Sequence, residues 1–284
     1  MTHRTHLRDL ALSLRSRHVA GRPLVLPNAW DAASARIVAD AGAAAVATTS
    51  AGLAWDLGAA DGDRLGREAA LAAVARIAAS VELPVTADIE SGYADTAAGV
   101  AATVRAVLDA GAVGVNIEDS SHDAHDAHGP LRSAEAQAER IAAARAAADA
   151  EGVPLFVNAR VDTYLAGVGE PGDRVALTLE RAARYLAAGA DGIFVPGAVD
   201  PVTVKALVAG VDAPLNVMAW PGAPSVAEFA ALGVARISVG AGIAQAVHAL
   251  VRRAARELLT DGTYGSLAGG LDYGELNNLF GGGR

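Results

Sequence analysis

Five positions carry most of the chemistry this sequence could perform. Asp88 and Glu90 stand two apart in the run Asp88-Ile89-Glu90-Ser91-Gly92-Tyr93. Glu118 closes the apolar run 113–117, Arg160 closes the run Asn158-Ala159-Arg160, and Asp61 lies in a long connection after Thr48. Residues two apart on an extended chain point to the same side, so Asp88 and Glu90 can face one cleft. Four carboxylates in one cleft cannot all ionise without a cation. An all-oxygen set with no His or Cys beside it favours a hard ion, Mg²⁺ or Mn²⁺. The expected metal residues are therefore Asp61, Asp88, Glu90 and Glu118, against the plainer reading that each only caps the next helix. Arg160 offers a planar fork for a carboxylate or phosphonate. The run Ser50-Ala51-Gly52-Leu53 reads as a tight turn whose backbone N–H groups, under little side-chain cover, suit an anionic oxygen.

These residues need a frame that brings distant positions together. The pattern repeats: a helical Ala-rich run, a small-residue turn, then an apolar run without alternation. Ala41-Gly42-Ala43, Ala110-Gly111-Ala112, Ala188-Gly189-Ala190 and Leu232-Gly233-Val234 mark four helix ends, since glycine takes the left-handed cap conformation without steric cost. Four further strands start after Pro23, Pro84, Pro154 and Pro214. Eight parallel strands, at 24–26, 45–48, 85–87, 113–117, 155–157, 192–195, 215–218 and 236–239, alternate with helices. The last helix is expected over 243–259. The best closure of this series is an α/β fold, a (β/α)₈ TIM barrel, with the whole chain, 1–284, as one domain carrying an N-terminal helical lead and a C-terminal helical tail. A dinucleotide-type open sheet is disfavoured, because Pro27-Asn28-Ala29-Trp30-Asp31 replaces its glycine-rich turn. Active sites of barrels lie at the C-terminal strand ends, where all the residues above fall.

The bulk properties fit. The chain has 284 residues, 52% of them hydrophobic and 19% charged, a net charge of −9 and no cysteine. Disulfides, thiolate nucleophiles and cysteine metal sites are excluded. The acidic balance and the lack of a basic stripe argue against nucleic acid. No apolar run reaches the ~18 residues of a membrane span, and residues 1–18 hold no apolar signal core. A cytoplasmic protein is expected. Lys205, the only lysine, falls inside a helix, which disfavours Schiff-base chemistry.

The runs 28–35, 48–53, 88–93, 114–119 and 158–160, in this order, resemble the isocitrate lyase/phosphoenolpyruvate mutase superfamily across roughly residues 24–280. Asp-x-Glu-Ser-Gly-Tyr and Ile-Glu-Asp are the most specific elements. The resemblance implies a barrel with a swapped eighth helix and a homotetramer built as a dimer of dimers. It also implies Mg²⁺ and a small 2-oxo or 2-hydroxy acid substrate. By position, Asp61, Asp88, Glu90 and Glu118 match metal-sphere carboxylates, with Asp88 the direct ligand and the others acting largely through water. Gly52 and Leu53 match backbone donors to the substrate oxygen, and Arg160 matches the arginine holding its acidic group.

Departures from the pattern narrow the chemistry. The lyases of the family carry a cysteine loop after strand 4, and the mutase and phosphonopyruvate hydrolase carry a lysine there. Here that loop reads Asp119-Ser-Ser-His122-Asp-Ala-His125-Asp-Ala-His128-Gly-Pro130. His122, His125 and His128 could supply the missing acid or base, since imidazole titrates near pH ~6.5; a solvated loop is the competing reading. Pro196 stands where the mutase has a histidine. Pro196, Asn216 and Trp220 are expected to line the substrate pocket. The expected activity is Mg²⁺-dependent cleavage of a C–C bond, with P–C chemistry or a decayed binding barrel as alternatives.

Overall fold

The computed structural model describes residues 3–121 and 129–281. Nine parallel strands run β1 Leu24–Leu26, β2 Asn28–Ala29, β3 Val46–Thr48, β4 Val85–Asp88, β5 Gly114–Glu118, β6 Phe156–Arg160, β7 Gly192–Phe194, β8 Leu215–Met218 and β9 Arg236–Ser238. Each pairs with its sequence neighbour from β2 through β9, and β1 pairs back with β9. β1 and β2 are one stretch interrupted at Pro27, which has no N–H to give a ladder. Counted as one, they close a ring of eight. The barrel expected from the sequence is present, with every strand within a residue or two of its expected place except β6, which runs three residues past its expected end, to Arg160.

The helices are α1 His3–Ser16, α2 Ala32–Asp40, α3 Ser50–Asp56, α4 Arg67–Ala78, α5 Ala97–Asp109, α6 Ala134–Ala150, α7 Arg174–Ala187, α8 Pro201–Gly210, α9 Val226–Ala231, α10 Gly242–Thr260 and α11 Tyr273–Gly281. Local chemistry sets their starts. Asp31 and Ser34 form a reciprocal capping box on α2, as Ser225 and Glu228 do on α9. The glycines expected to end α2, α5, α7 and α9 all have positive φ, between 92° and 104°. Lys205 lies in α8, as expected.

Two elements differ from the sequence reading. Ser50–Leu53 is the first turn of α3, not a tight turn. Gly52 is there for space: a Cβ on it would meet Thr49 Cγ2 at 2.6 Å and Trp30 Cβ at 2.9 Å. α1 does more than lead into the barrel. It buries Leu7, Ala11 and Leu14 on one face, and Leu14 lies against Gly114 at the foot of β5. Beyond α1, His18 stacks on Phe156 at the foot of β6, 3.8 Å between ring centroids. The tail packs on its own chain. α11 packs on α2, and Arg36 lies over the Phe280 ring, 5.2 Å from its centroid.

The outer faces of the strands and the inner faces of the helices form one apolar core of Val, Ala, Leu and Ile. The barrel interior is different. Asn28, Thr48, Thr86, Asn116, Asn158, Asn216, Arg236 and Ser238 are all buried, where barrels of this kind usually hold branched hydrocarbon. α10 is different again: only Ala244 of its 19 residues is buried, and Val247, Leu250, Val251, Leu258 and Leu259 are exposed. No helix of the described residues is long and apolar enough to cross a membrane.

Candidate active site at the barrel mouth

The ends of β3, β4 and α3 meet at Asp88. Its backbone N–H donates to Thr48 Oγ1 at 2.8 Å. Its carboxylate accepts from Ser50 Oγ and from the Glu90 N–H, both at 3.2 Å. Burial raises the Asp88 pKa, the Arg160 charge opposes the rise, and the Asp61 charge adds to it. Asp61 itself is exposed at the rim.

The segment after Asp88 is tightly bent. Glu90 and Tyr93 hold φ of 50° and 49°, and Gly92 lies between them at 95°. Side-chain-bearing residues adopt this region at a cost, so the bend must be held from outside. Arg140, buried on α6, donates through Nη2 to the carbonyls of Ser91 and Ala94, the latter at 2.7 Å. Thr103 Oγ1 donates to the Gly92 carbonyl at 2.8 Å. The bend turns the Glu90 carboxylate toward Tyr93 OH, 3.3 Å away, and the Asp63 N–H. Burial, with the charges of Asp88, Asp63 and Asp61, pushes Glu90 up to about 7. Ser91 Oγ donates to the Asp63 carboxylate.

Glu118 joins this group from β5. Its N–H donates to the Glu90 carbonyl at 2.9 Å, and its Oε2 meets Arg160 Nη1 at 2.6 Å. Arg160 Nε donates to Asp162 Oδ1, also at 2.6 Å. Burial works against the guanidinium charge, but the carboxylates of Glu118, Asp162 and Asp88 outweigh it and raise its pKa. Asp162 is fixed in turn. Its N–H donates to Asp119 Oδ1 at 2.9 Å, and Asp119 Oδ2 accepts from Tyr185 OH at 2.8 Å and Arg181 Nη1 at 3.0 Å. A chain of buried contacts thus runs from α7 to the arginine at the mouth.

The other expected site residues divide. Ser50, Ala51 and Gly52 lie in the first turn of α3, where N–H groups lack helical acceptors. The Leu53 N–H is already bonded to the Thr49 carbonyl at 3.0 Å, so the helix takes up the donor expected there. Asn216 lies inside the barrel: its Oδ1 accepts from Asn158 and its Nδ2 donates to the Val217 carbonyl. His122 and His125, with His128, fall outside the described residues. On either side of them, Ser120 bridges Leu131 and the Ser121 N–H donates to the Pro130 carbonyl at 2.8 Å. A cavity of about 660 Å³ opens at this base, lined by Asp63, Arg67, Ser91, Tyr93, Ser121 and Arg132. Asp63, Arg140, Asp119 and Asp162 were not singled out from the sequence. The signal available was position: Asp162 sits two after Arg160, as Glu90 sits two after Asp88.

Among the described residues, no three His, Asp or Glu side chains are grouped as direct ligands of one ion. The donor set still fits Mg²⁺. Asp88 offers oxygen from one carboxylate, Glu90, Glu118 and Asp61 surround it, and burial leaves the inner acids reluctant to ionise without a compensating charge. That matches a cation held by few protein atoms and several waters.

A closed parallel barrel whose C-terminal mouth gathers buried carboxylates around a buried arginine is the frame of a barrel enzyme. The chain belongs to the phosphoenolpyruvate phosphomutase family, whose model matches residues 14–259, within the isocitrate lyase/phosphoenolpyruvate mutase superfamily. Proteins of this family are lyases and mutases, and this chain is an enzyme of that kind. It is 39% identical over 244 residues to an uncharacterized protein of Mycobacterium tuberculosis (strain ATCC 25618 / H37Rv), covering 84% of this chain and 87% of the other. A solved Burkholderia cenocepacia J2315 structure, provisionally named a lyase/mutase, is 38% identical, with a TM-score of 0.89 over 97% of both chains. Phosphonopyruvate hydrolase solved with oxalate and Mg²⁺ is 27% identical, with a TM-score of 0.80 over 99% of this chain and 95% of that one.

Proposed function

We propose that the protein is a Mg²⁺-dependent lyase or hydrolase that cleaves a C–C bond of a small 2-oxo or 2-hydroxy acid through an enolate. The observation that carries this reading is the pairing of Arg160 with Glu118 beside Asp88. One anion holder and one cation-seeking carboxylate share a rim, as a bidentate oxo acid requires. The likeness to a hydrolase solved with oxalate and Mg²⁺ supports it.

Asp88 would hold the metal, with Glu90, Glu118 and Asp61 receiving its waters. Bound there, Mg²⁺ supplies Lewis-acid stabilisation of the charge that bond cleavage leaves on the 2-oxygen and carboxylate. The protein does the rest. Arg160 orients the substrate's carboxylate, and the free N–H groups of Ser50, Ala51 and Gly52 face the developing oxyanion, a preorganised interaction stronger in the transition state than in the ground state. The His122 and His125 loop would move the proton that a cysteine or lysine moves elsewhere in the family. The substrate is a small molecule, and helix exchange through α10 would give a homotetramer.

The test is release of pyruvate or oxalate from a panel of short oxo and hydroxy acids with Mg²⁺. Activity should vanish with excess chelator and in Asp88→Ala. Full turnover under chelation would sink the proposal. A second reading, P–C bond chemistry, is favoured by the family model itself. Phosphorus NMR of phosphonopyruvate with enzyme separates the two. Oxalate and Mg²⁺ binding without turnover of any acid would mark a decayed, binding-only barrel.

A further inference from the structure

The barrel interior holds a charge with no ion pair among the described residues. Arg236 opens β9 and is 1% exposed. β9 and β5 lie opposite each other in the ring of eight, and Arg236 Nη2 donates to Asn116 Oδ1 of β5 at 3.1 Å. The guanidinium therefore crosses the barrel axis. Among the described residues its buried Nε and Nη1 have no hydrogen-bond partner. Arginine is seldom buried unless paired, and an isolated buried ion costs several kcal/mol.

Its surroundings have a direction. Toward the foot of the barrel lies His18, which burial and the Arg236 charge push down to about 3, so its imidazole is neutral. On the other side, Asn116 accepts from both Arg236 and Asn158, and Asn116 is the register partner of Asp88. Asp88 is the one carboxylate whose charge supports the Arg236 cation against burial. The charge is thus met in contact by an amide rather than by a carboxylate, and the carboxylate it acts on, Asp88, stands at the mouth.

We propose that Arg236 is a fixed cation kept beneath the mouth to draw an anionic substrate into it, at the expense of fold stability. The electrostatic half rests on the reading of the mouth as an oxo-acid site; the stability half does not. In the low-dielectric interior a charge acts over several ångströms without contact. Arg236 acts on the substrate at a distance, and the asparagine ladder carries no charge of its own to cancel it.

The test uses the full chain with Arg236→Met, which removes the charge at similar volume, and Arg236→Lys, which keeps it. Thermal unfolding without ligand and calorimetric oxalate binding at saturating Mg²⁺ are the readouts. Arg236→Met should melt at or above the wild-type temperature, because an apolar replacement for a buried ion is often neutral or stabilising. Its oxalate affinity should be about tenfold weaker, with Arg236→Lys within about threefold of wild type. A fall in melting temperature beyond about 5 °C in Arg236→Met, or failure to fold, would overturn the inference. So would unchanged oxalate affinity, or a lysine variant as weak as methionine. If oxalate fails to bind the wild type, the reading of the mouth falls and takes the electrostatic half with it. The melting comparison still decides the other.

Discussion

Arg160 and Glu118 are register partners on adjacent strands β6 and β5, and their side chains meet at 2.6 Å over the mouth. The guanidinium is held on its other edge by Asp162. Arg160 is therefore presented to the site in one orientation, its charge already partly neutralised. In the proposed reaction, a substrate carboxylate would add to this arrangement without having to create it.

Asp162→Asn should loosen that orientation. With the metal residues intact, kcat/KM on acidic substrates should fall about 10- to 100-fold, most of it as a rise in KM, because binding of the acidic group is what is disturbed. Steady-state kinetics check this. A change confined to kcat would place Asp162 elsewhere in the mechanism.

Glu90 gives the protein a pH signature. Its carboxyl titrates near 7 when folded, against 4.5 for an ordinary glutamate. Between those values the folded state binds more protons than the unfolded state, so stability falls as pH rises. The contribution is fully present below about 4.5 and lost as pH passes 7, amounting to at most about 3 kcal/mol. Urea unfolding without divalent metal, from pH 5 to 8, should show this slope. Glu90→Gln should flatten it, and Mg²⁺ should stabilise more at pH 8 than at pH 6.

Arg140 is buried on α6, where it holds the bend that aims Glu90. Arg140→Gln should weaken Mn²⁺ binding about 10- to 100-fold, the usual range for losing an outer support of a metal site. Arg140→Lys should recover part of it. Electron paramagnetic resonance of Mn²⁺ reads the effect without any assay of turnover.

The exposed apolar residues of α10 predict association. Sedimentation should show the wild type as a tetramer. The double change Leu250→Glu and Val251→Glu should shift it to smaller species, since charge in a buried interface is strongly disfavoured. A wild-type monomer at micromolar concentration would refute the exchange of this helix.

The strands were legible because a parallel barrel strand is buried on both faces and reads as a short apolar run between turn residues. The mouth was legible for a related reason: a charge ending such a run, as in Glu118 and Arg160, has few places to go. Ser50–Leu53 misled because Ser, Ala and Gly are as common in turns as in a helix packed too closely for larger residues. That distinction depends on Trp30, twenty-two positions before Gly52. Asp119, Asp162, Arg140 and Arg236 were obscured because their meaning lies in partners on other elements: Tyr185, Asp119, the 91–94 carbonyls and Asn116. Single-chain spacing carries no trace of these.

The amide-lined axis of the barrel has a calorimetric consequence. Unfolding releases polar surface from a place where most barrels release hydrocarbon, and polar hydration lowers heat capacity where apolar hydration raises it. The eight interior side chains from Asn28 to Ser238 therefore subtract from the heat-capacity increment. The protein's stability curve is correspondingly broader and flatter than that of a barrel of equal length filled with valine and leucine.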